Sequence, residues 1–336
     1  METPRRATIT DVARAAGVSV ATVSKVINDR YGVARQTAER VREVIEELGY
    51  ESSIVARSLR SHRTGLIGVL VAEFEPFSTE LLKGVSAAAR DSGYQLLAYS
   101  GGGTAESQVG WERRSLSRLS GTLIDGALLV TPTIVDGNYR IPVVAVDPHT
   151  GPSDLPTVDS DNLAGTRAAV GHLVDLGHRR IGFLGGRPDL ESARLREEGY
   201  RRTMADAGLR VDPDLVRAGG FRMETSELPA RELLGRVDRP TAIFAANDLM
   251  AIQVMRVAQS IGLRVPQDLS VVGFDNIPEA AVALPALTTI AQPLHEIGQT
   301  ATQLLLAMLR GEEPPTRHVQ LATRLVVRES TAPPLP

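Results

Sequence analysis

Residues 8–28 read TITDVARAAGVSVATVSKVIN, and this stretch decides what the amino-terminal end of the 336-residue chain is. Thr10-Asp11 can open a helix, with Val12, Ala13 and Ala16 on one side at helical spacing. Gly17 supplies a tight turn, and Ser19 can cap a second helix through its hydroxyl. That helix is expected over Val20–Ile27, with Val23, Val26 and Ile27 as its apolar stripe and Asn28-Asp29 at its end. Two short helices joined by a glycine-containing turn of three to four residues make a helix-turn-helix. The small Ala13 lies four residues before the turn glycine and lets the helices approach. A third helix is expected at about Gln36–Leu48, with Ala38, Val41, Val44, Ile45 and Leu48 apolar.

The face left over on the second helix carries the chemistry. Ser19, Val20, Ala21, Thr22, Ser24, Lys25 and Asn28 point away from the apolar stripe. Short side chains let a helix enter a major groove, where Val20 and Ala21 can touch thymine methyls or base edges. Lys25 can donate to guanine or to phosphate, and Ser19, Thr22 and Ser24 suit phosphate contacts that set register. Thr10 on the first helix joins them as a candidate DNA contact. Charge points the same way: residues 1–63 hold 11 Lys/Arg against eight acids, a surplus of +3, while the whole chain is −3 with pI about 6.1. A basic head on an acidic body implies two parts with different partners.

This stretch, with RQTAERVREVIEELGY (35–50) and VARSLR (55–60), resembles the reading head of the LacI/GalR family of bacterial repressors. The resemblance implies a homodimer on a pseudo-palindromic double-stranded operator, with Val20 and Ala21 selecting the sequence. It also implies a short hinge helix in the minor groove. Leu59 is by position the wedge between base pairs, and Val55 and Ala56 meet the partner hinge. Where many members have Tyr-x-Pro-Asn, this chain has Tyr50-Glu51-Ser52-Ser53, which leaves a serine to cap the hinge.

Beyond residue 64, apolar runs of strand length alternate with amphipathic segments. Strands are expected at Leu66–Val71, Tyr94–Tyr99, Ala127–Val130, Val143–Val146, Ile181–Leu184, Ala242–Ala245 and Leu269–Phe274. Helices are expected at Ser78–Ser92, Glu106–Leu119, Ala164–Leu176, Glu191–Ala207, Leu249–Ile261 and His295–Leu309. Such alternation implies a doubly wound α/β sheet. Some twelve strands exceed one comfortable sheet, so two lobes are expected, with a ligand beyond the carboxyl ends of the strands.

Polar residues cluster at those ends. Asp147 follows the fourth strand, Asp159-Ser160-Asp161-Asn162 precedes a helix, and Asn247-Asp248 and Asp275-Asn276 follow later strands. Arg194 and Arg196 open a helix, and Phe221 lies in a Gly-Gly-Phe turn. Carboxylates, carboxamides and a guanidinium can satisfy adjacent sugar hydroxyls while an aromatic face packs on the ring. Any one of them, Asp161, Asn247 and Asp248 included, can equally be a helix cap.

Further segments resemble the same family: GHRRIGFLGG (177–186), SARLREEGY (192–200), AIFAAND (242–248), VPQDLSVVGFDN (265–276) and LTTI (287–290). The resemblance implies a periplasmic-binding-protein-like body with three crossovers between lobes. By position Arg196, Asn247 and Asp275 match hydroxyl-binding residues, Asp147 a further effector contact and Phe221 a stacking aromatic. Where many members have Asn-Pro-Phe-Phe, this chain has Glu75-Pro76-Phe77-Ser78, so Phe77 is kept and the wall around it differs.

The domains expected are a helix-turn-helix head (1–50), a hinge and linker (51–63), a bilobed effector and dimerisation domain (64–330) and a tail (331–336). Within the body the first lobe is about 64–160 plus 291–322, and the second about 161–290 plus 323–330. The tail has no leucine heptad, so a dimer is expected.

Composition excludes much else. With no cysteine there are no disulfides, Cys-based zinc sites or thiolate nucleophiles. Six histidines (62, 149, 172, 178, 295, 318) show no metal-ligand spacing, and Gly101-Gly102-Gly103 lacks the Lys-Ser/Thr of a phosphate loop. No GxSxG is present, and Trp111 reads as core or a subunit contact. No secretory core or membrane span is visible, so a cytoplasmic location is expected, without cofactor or metal. Two classes remain: a ligand-gated repressor controlled by a small sugar or oligosaccharide, and a sugar-binding receptor or sugar-acting enzyme with an incidental helical head. Purines stay open as effectors.

Overall fold

A computed structural model describes residues 7–27, 31–50, 63–101, 110–133, 139–150, 154–314 and 316–335. The chain divides into two compact units, Met1–Thr64 and Gly65–Pro336.

In the first unit three helices, α1 (Ile9–Ala15), α2 (Val20–Ile27) and α3 (Arg35–Glu47), enclose Val12, Ala13, Ala16, Val23, Val26, Val41 and Val44. The helix starts one residue earlier than the Thr10-Asp11 reading, because Thr8 and Asp11 form a reciprocal capping box. The Asp11 N–H donates to Thr8 Oγ1 (3.3 Å) and the Thr8 N–H to Asp11 Oδ2 (2.9 Å). Gly17 turns the chain at φ 63°, and Ser19 Oγ accepts from the Thr22 N–H at 3.1 Å, capping α2. Leu48 is 41% exposed just past the end of α3 and does not join the core expected of it.

The second unit holds two six-stranded sheets. Its strands are β1 (Leu66–Val71), β2 (Gln95–Ser100), β3 (Gly126–Val130), β4 (Val143–Val146), β5 (Thr157–Ser160), β6 (Ile181–Gly185), β7 (Val216–Ala218), β8 (Ala242–Ala245), β9 (Ser270–Asp275), β10 (Thr288–Ala291), β11 (His318–Leu321) and β12 (Arg324–Val326). Its helices are α4 (Pro76–Ala89), α5 (Trp111–Leu119), α6 (Asn162–Asp175), α7 (Glu191–Asp206), α8 (Met223–Leu234), α9 (Asp248–Ser260), α10 (Pro278–Val282) and α11 (Leu294–Leu309). The sheet orders are β11-β5-β4-β3-β1-β2 and β12-β10-β9-β8-β6-β7. Every neighbouring pair is parallel except β10 with β12. Each sheet is thus wound the same way, and central strands buried on both faces explain the unbroken apolar runs.

The chain crosses between the lobes three times, after β5, after β10 and between β11 and β12. The crossings are bonded to one another. The Asp161 N–H donates to the Leu321 carbonyl (2.9 Å), Thr323 Oγ1 donates to the Asp161 carbonyl (3.2 Å), and Ser160 Oγ donates to Gln292 Oε1. Because α11 returns to the first lobe, Ile297, Ala301 and Leu305 share a core with Ile67, Leu81 and Val144. The second lobe has its own core around Phe183, Tyr200, Phe244 and Phe274. Among the described residues no helix is long and apolar enough to cross a membrane.

Candidate functional site

Two surfaces bear the chemistry. On the first unit, α2 leaves Ser19, Val20, Ala21 and Lys25 exposed, with Thr22 and Ser24 half-buried, while its Val23 and Val26 face the core. Thr10 is exposed on α1. The amphipathic split thus delivers six of the candidate contacts to one accessible face. Asn28, Val55, Ala56 and Leu59 lie outside the described residues.

In the second unit, the segments leaving β1, β3 and β4 face those leaving β6, β7, β8 and β9 across a cleft. From the first lobe it is lined by Glu73, Glu75, Phe77, Trp111, Thr131, Thr133, Asp147 and His149, and from the second by Arg187, Ser192, Arg196, Phe221, Arg222, Asn247 and Asp275. Five described residues other than glycine have left-handed φ: Thr131 (48°), Asp147 (47°), Phe221 (67°), Asp275 (117°) and Asn276 (60°). Four of the five line this cleft. Each costs roughly 1–3 kcal/mol, and strain of that kind concentrates at binding and switching sites.

Arg196, 3% exposed, organises the second-lobe wall. Its Nε donates to Asn162 Oδ1 at 2.8 Å, one Nη donates to the Ala246 carbonyl, and the same Nη lies 3.6 Å from Asp275 Oδ1. The guanidinium stacks 3.8 Å from the Phe274 ring centroid and 5.5 Å from that of Phe221. Burial pulls the guanidinium below its ordinary value, and Asp275, Asp147 and Asp248 oppose that pull. Asp275 also accepts from Gln292 Nε2 at 2.6 Å; burial pushes its carboxyl up to about 7 against the lowering by Arg196. Gln292 bonds both Asp275 and Ser160, so the cleft wall is joined to the lobe crossings by two hydrogen bonds.

Asn247 caps α9, accepting from the Met250 N–H at 3.0 Å, and its Nδ2 donates to the Phe221 carbonyl at 3.0 Å. It lines the cleft, yet its carboxamide is largely spent on holding the Phe221 turn. Phe221 needs the bare backbone of Gly186, where a Cβ would meet its ring at 2.1 Å. Asp248, fully buried, accepts from the Ile277 N–H (2.9 Å) and Thr289 Oγ1 (2.5 Å), fixing the turn that carries Asp275. Burial drives its carboxyl well above the usual range.

On the opposite wall, burial raises Asp147, while Arg196 and a hydrogen bond from Ser192 oppose the rise. Burial and neighbouring Glu73 push Glu75 up to about 7. His149 is pushed down to about 4 by burial and Arg187, so it is neutral near pH 7. Glu73 pairs with Arg222 across the cleft.

Of the sequence candidates, Phe77, Asp147, Arg196, Phe221, Asn247 and Asp275 come together here. Asp161 does not. Its carboxylate caps α6 through the Ala164 N–H (2.9 Å), and its backbone pins the crossings, because the first helix of the second lobe begins there. Trp111 is buried against Leu116 and Leu129, as a core reading requires, and also lines the cleft. Ser192 and His149 also line the cleft and Gln292 supports it through Asp275, although none of the three directly follows a recognisable strand. Ser192 lies inside the family segment at 192–200, which is the one signal that pointed to it.

Residues 8–53 match the family of bacterial regulatory proteins of lacI type, and residues 170–331 match a periplasmic binding protein-like domain. The HTH-type transcriptional repressor PurR of Vibrio campbellii (strain ATCC BAA-1116) is 37% identical over 332 residues, covering 96% of this chain and 98% of that protein. The chain belongs to the LacI family. A solved relative, a transcriptional regulator CelR–cellobiose complex, shares 34% identity and a TM-score of 0.73 over 97% of this chain and 100% of its own. The lac repressor dimer bound to operator and the anti-inducer ONPF superposes with a TM-score of 0.83 at 28% identity, covering 98% and 100%. This LacI-family chain is a DNA-binding transcriptional repressor and not an enzyme, which removes the sugar-acting alternative.

Proposed function

We propose that this repressor works as a cytoplasmic homodimer on a pseudo-palindromic operator of carbohydrate uptake or catabolism genes, and that a small sugar or short oligosaccharide between its lobes controls it. Thr10, Ser19, Val20, Ala21, Thr22, Ser24, Lys25 and Asn28 are assigned to the operator grooves. Leu59 is assigned to the central minor-groove step, beside Val55 and Ala56 of the hinge. Phe77, Asp147, Arg196, Phe221, Asn247 and Asp275 are assigned to the effector.

The observation that carries the sugar reading is the convergence of Asp147 and Asp275 at strand ends with Arg196 of α7 beside the Phe221 ring. Carboxylates and a guanidinium together accept from and donate to neighbouring hydroxyls, and an aromatic edge supplies the apolar face. The cellobiose held by the CelR relative supports the same class. A sugar changes operator affinity only through unequal affinity for two arrangements of the lobes. The bonded crossings, tied to Asp275 through Gln292, are where those arrangements differ.

The test is operator binding by fluorescence anisotropy, after selecting an operator from random duplexes, with mono- and disaccharides and with guanine and hypoxanthine added in turn. A saccharide is expected to shift operator affinity in the native chain and to lose that effect in Arg196→Ala. Leu59→Ala is expected to do the reverse, crippling operator binding while sparing sugar binding. A full effector response in Arg196→Ala would remove the cleft assignment, and a response to a purine alone would replace the sugar.

A further inference from the structure

The cleft is rich in charge but unevenly paired. All three of its guanidinium groups are engaged: Arg196 with Asn162, the Ala246 carbonyl and Asp275, Arg222 with Glu73, and Arg187 with Asp189. His149 adds no positive charge near neutral pH. Two lining carboxyl groups are left without a matching cation. Asp147 has the Ser192 hydroxyl as its hydrogen-bond partner, and the nearby Arg196 is already committed to Asp275. Glu75 stands at the N-cap of α4, yet its side chain does not cap that helix and has no hydrogen-bond partner among the described residues. Arg222, the cation that acts on Glu75, is held by Glu73.

We infer that the cleft admits neutral or amine-bearing ligands and turns away phosphorylated and carboxylated ones, with Glu75 as the residue that sets this selection. An anion bound in a dry site needs charge-assisted donors. Here every guanidinium is already paired, and an incoming phosphate or carboxylate meets two unpaired carboxyl groups instead. The start of α4 adds little to favour an anion, since its first residue, Pro76, has no N–H and the N-cap residue Glu75 is itself a carboxylate. A protonated amine among hydroxyls supplies what Glu75 and Asp147 lack. The raised carboxyl of Glu75 is what burial without a partner produces, and an ammonium would hold it ionised. This inference rests on the cleft being the effector site.

The experiment is calorimetry on the full chain at pH 7.5 with ligands matched in all but charge. The sets are glucose, glucosamine, glucuronate and glucose 6-phosphate; cellobiose and cellobiose 6-phosphate; and adenosine and AMP. Within any set that binds, the anionic member is expected to be weaker than its neutral parent by at least about 10-fold, and the amine equal or tighter. Glu75→Gln is expected to narrow that gap, while Glu75→Asp keeps it. An anionic member that binds as tightly as its parent, or a gap unchanged in Glu75→Gln, overturns the inference. Binding confined to the adenosine and AMP set would sink the sugar reading alone, since the charge order within that set still tests Glu75.

Discussion

Arg196, Asn247 and Asp275 on one wall of the cleft each make at least two hydrogen bonds or ion pairs to residues of their own lobe or its crossing. Across from them, Glu75 has no such partner, and Asp147 draws its hydrogen bond from Ser192 of the other lobe. The second-lobe wall is therefore pre-set, which for the proposed effector would lower the ordering cost of binding. The first-lobe wall is completed by whatever enters, or by the other lobe. For the proposed effector site this pairs a rigid wall with an adaptable one.

The strongest way to break this contrast is Arg196→Ala. It strips a buried carboxyl of its cation and Phe274 of its stacking partner, and it should destabilise the body by ~3–5 kcal/mol in urea unfolding. A loss below ~1 kcal/mol would mean that the second-lobe wall is not held by this network. Gly186→Ala comes next. Its Cβ has no room beside the Phe221 ring, so a cost of ~1–3 kcal/mol is expected, with weaker ligand binding by calorimetry. Unchanged affinity would show that the Phe221 ring is not part of the recognising surface.

The smallest effect is in pH, and it probes the opposite wall. Glu75 and Asp275 have carboxyl groups raised to about 7, so their stabilisation is complete below their ordinary values, 4.5 and 3.8, and is lost as pH rises through 7. His149, lowered from 6.5 to about 4, acts oppositely: its contribution is complete above 6.5 and is lost as pH falls towards 4. Between pH 6.5 and 8 the carboxyls dominate, and the melting temperature of the ligand-free chain should decline. Glu75→Gln should flatten part of that decline, and an identical slope in the variant would show that Glu75 ionises normally.

The sequence was most legible where burial is complete. β4 and β8, apolar on both faces, run over the residues that their composition picks out, Val143–Val146 and Ala242–Ala245. The strands not anticipated are short or polar: Thr157–Ser160, Val216–Ala218, Thr288–Ala291, His318–Leu321 and Arg324–Val326. Three of these are edge strands with exposed side chains, and β10 is a threonine-rich strand whose burial comes only from its neighbours. Helix α8 was also hidden, since Pro229 lies inside it. The same divide runs through the site. Residues that directly follow a recognisable strand, such as Asp147, Asn247 and Asp275, could be read in advance. Glu75, His149 and Gln292 arrive on turns whose direction the local sequence does not encode. Asp161 shows the converse: a capping position fits a ligand position equally well until the crossings are seen.

The chain has one tryptophan, Trp111, and it is buried in the first-lobe wall of the cleft, its indole N–H unpaired among the described residues. The repressor therefore carries its own optical probe, with no second indole to dilute the signal. Intrinsic fluorescence excited at the indole band reports on the adaptable wall alone. Titrations with the proposed effectors can be followed in the unlabelled protein, and six scattered tyrosines leave that emission band clear.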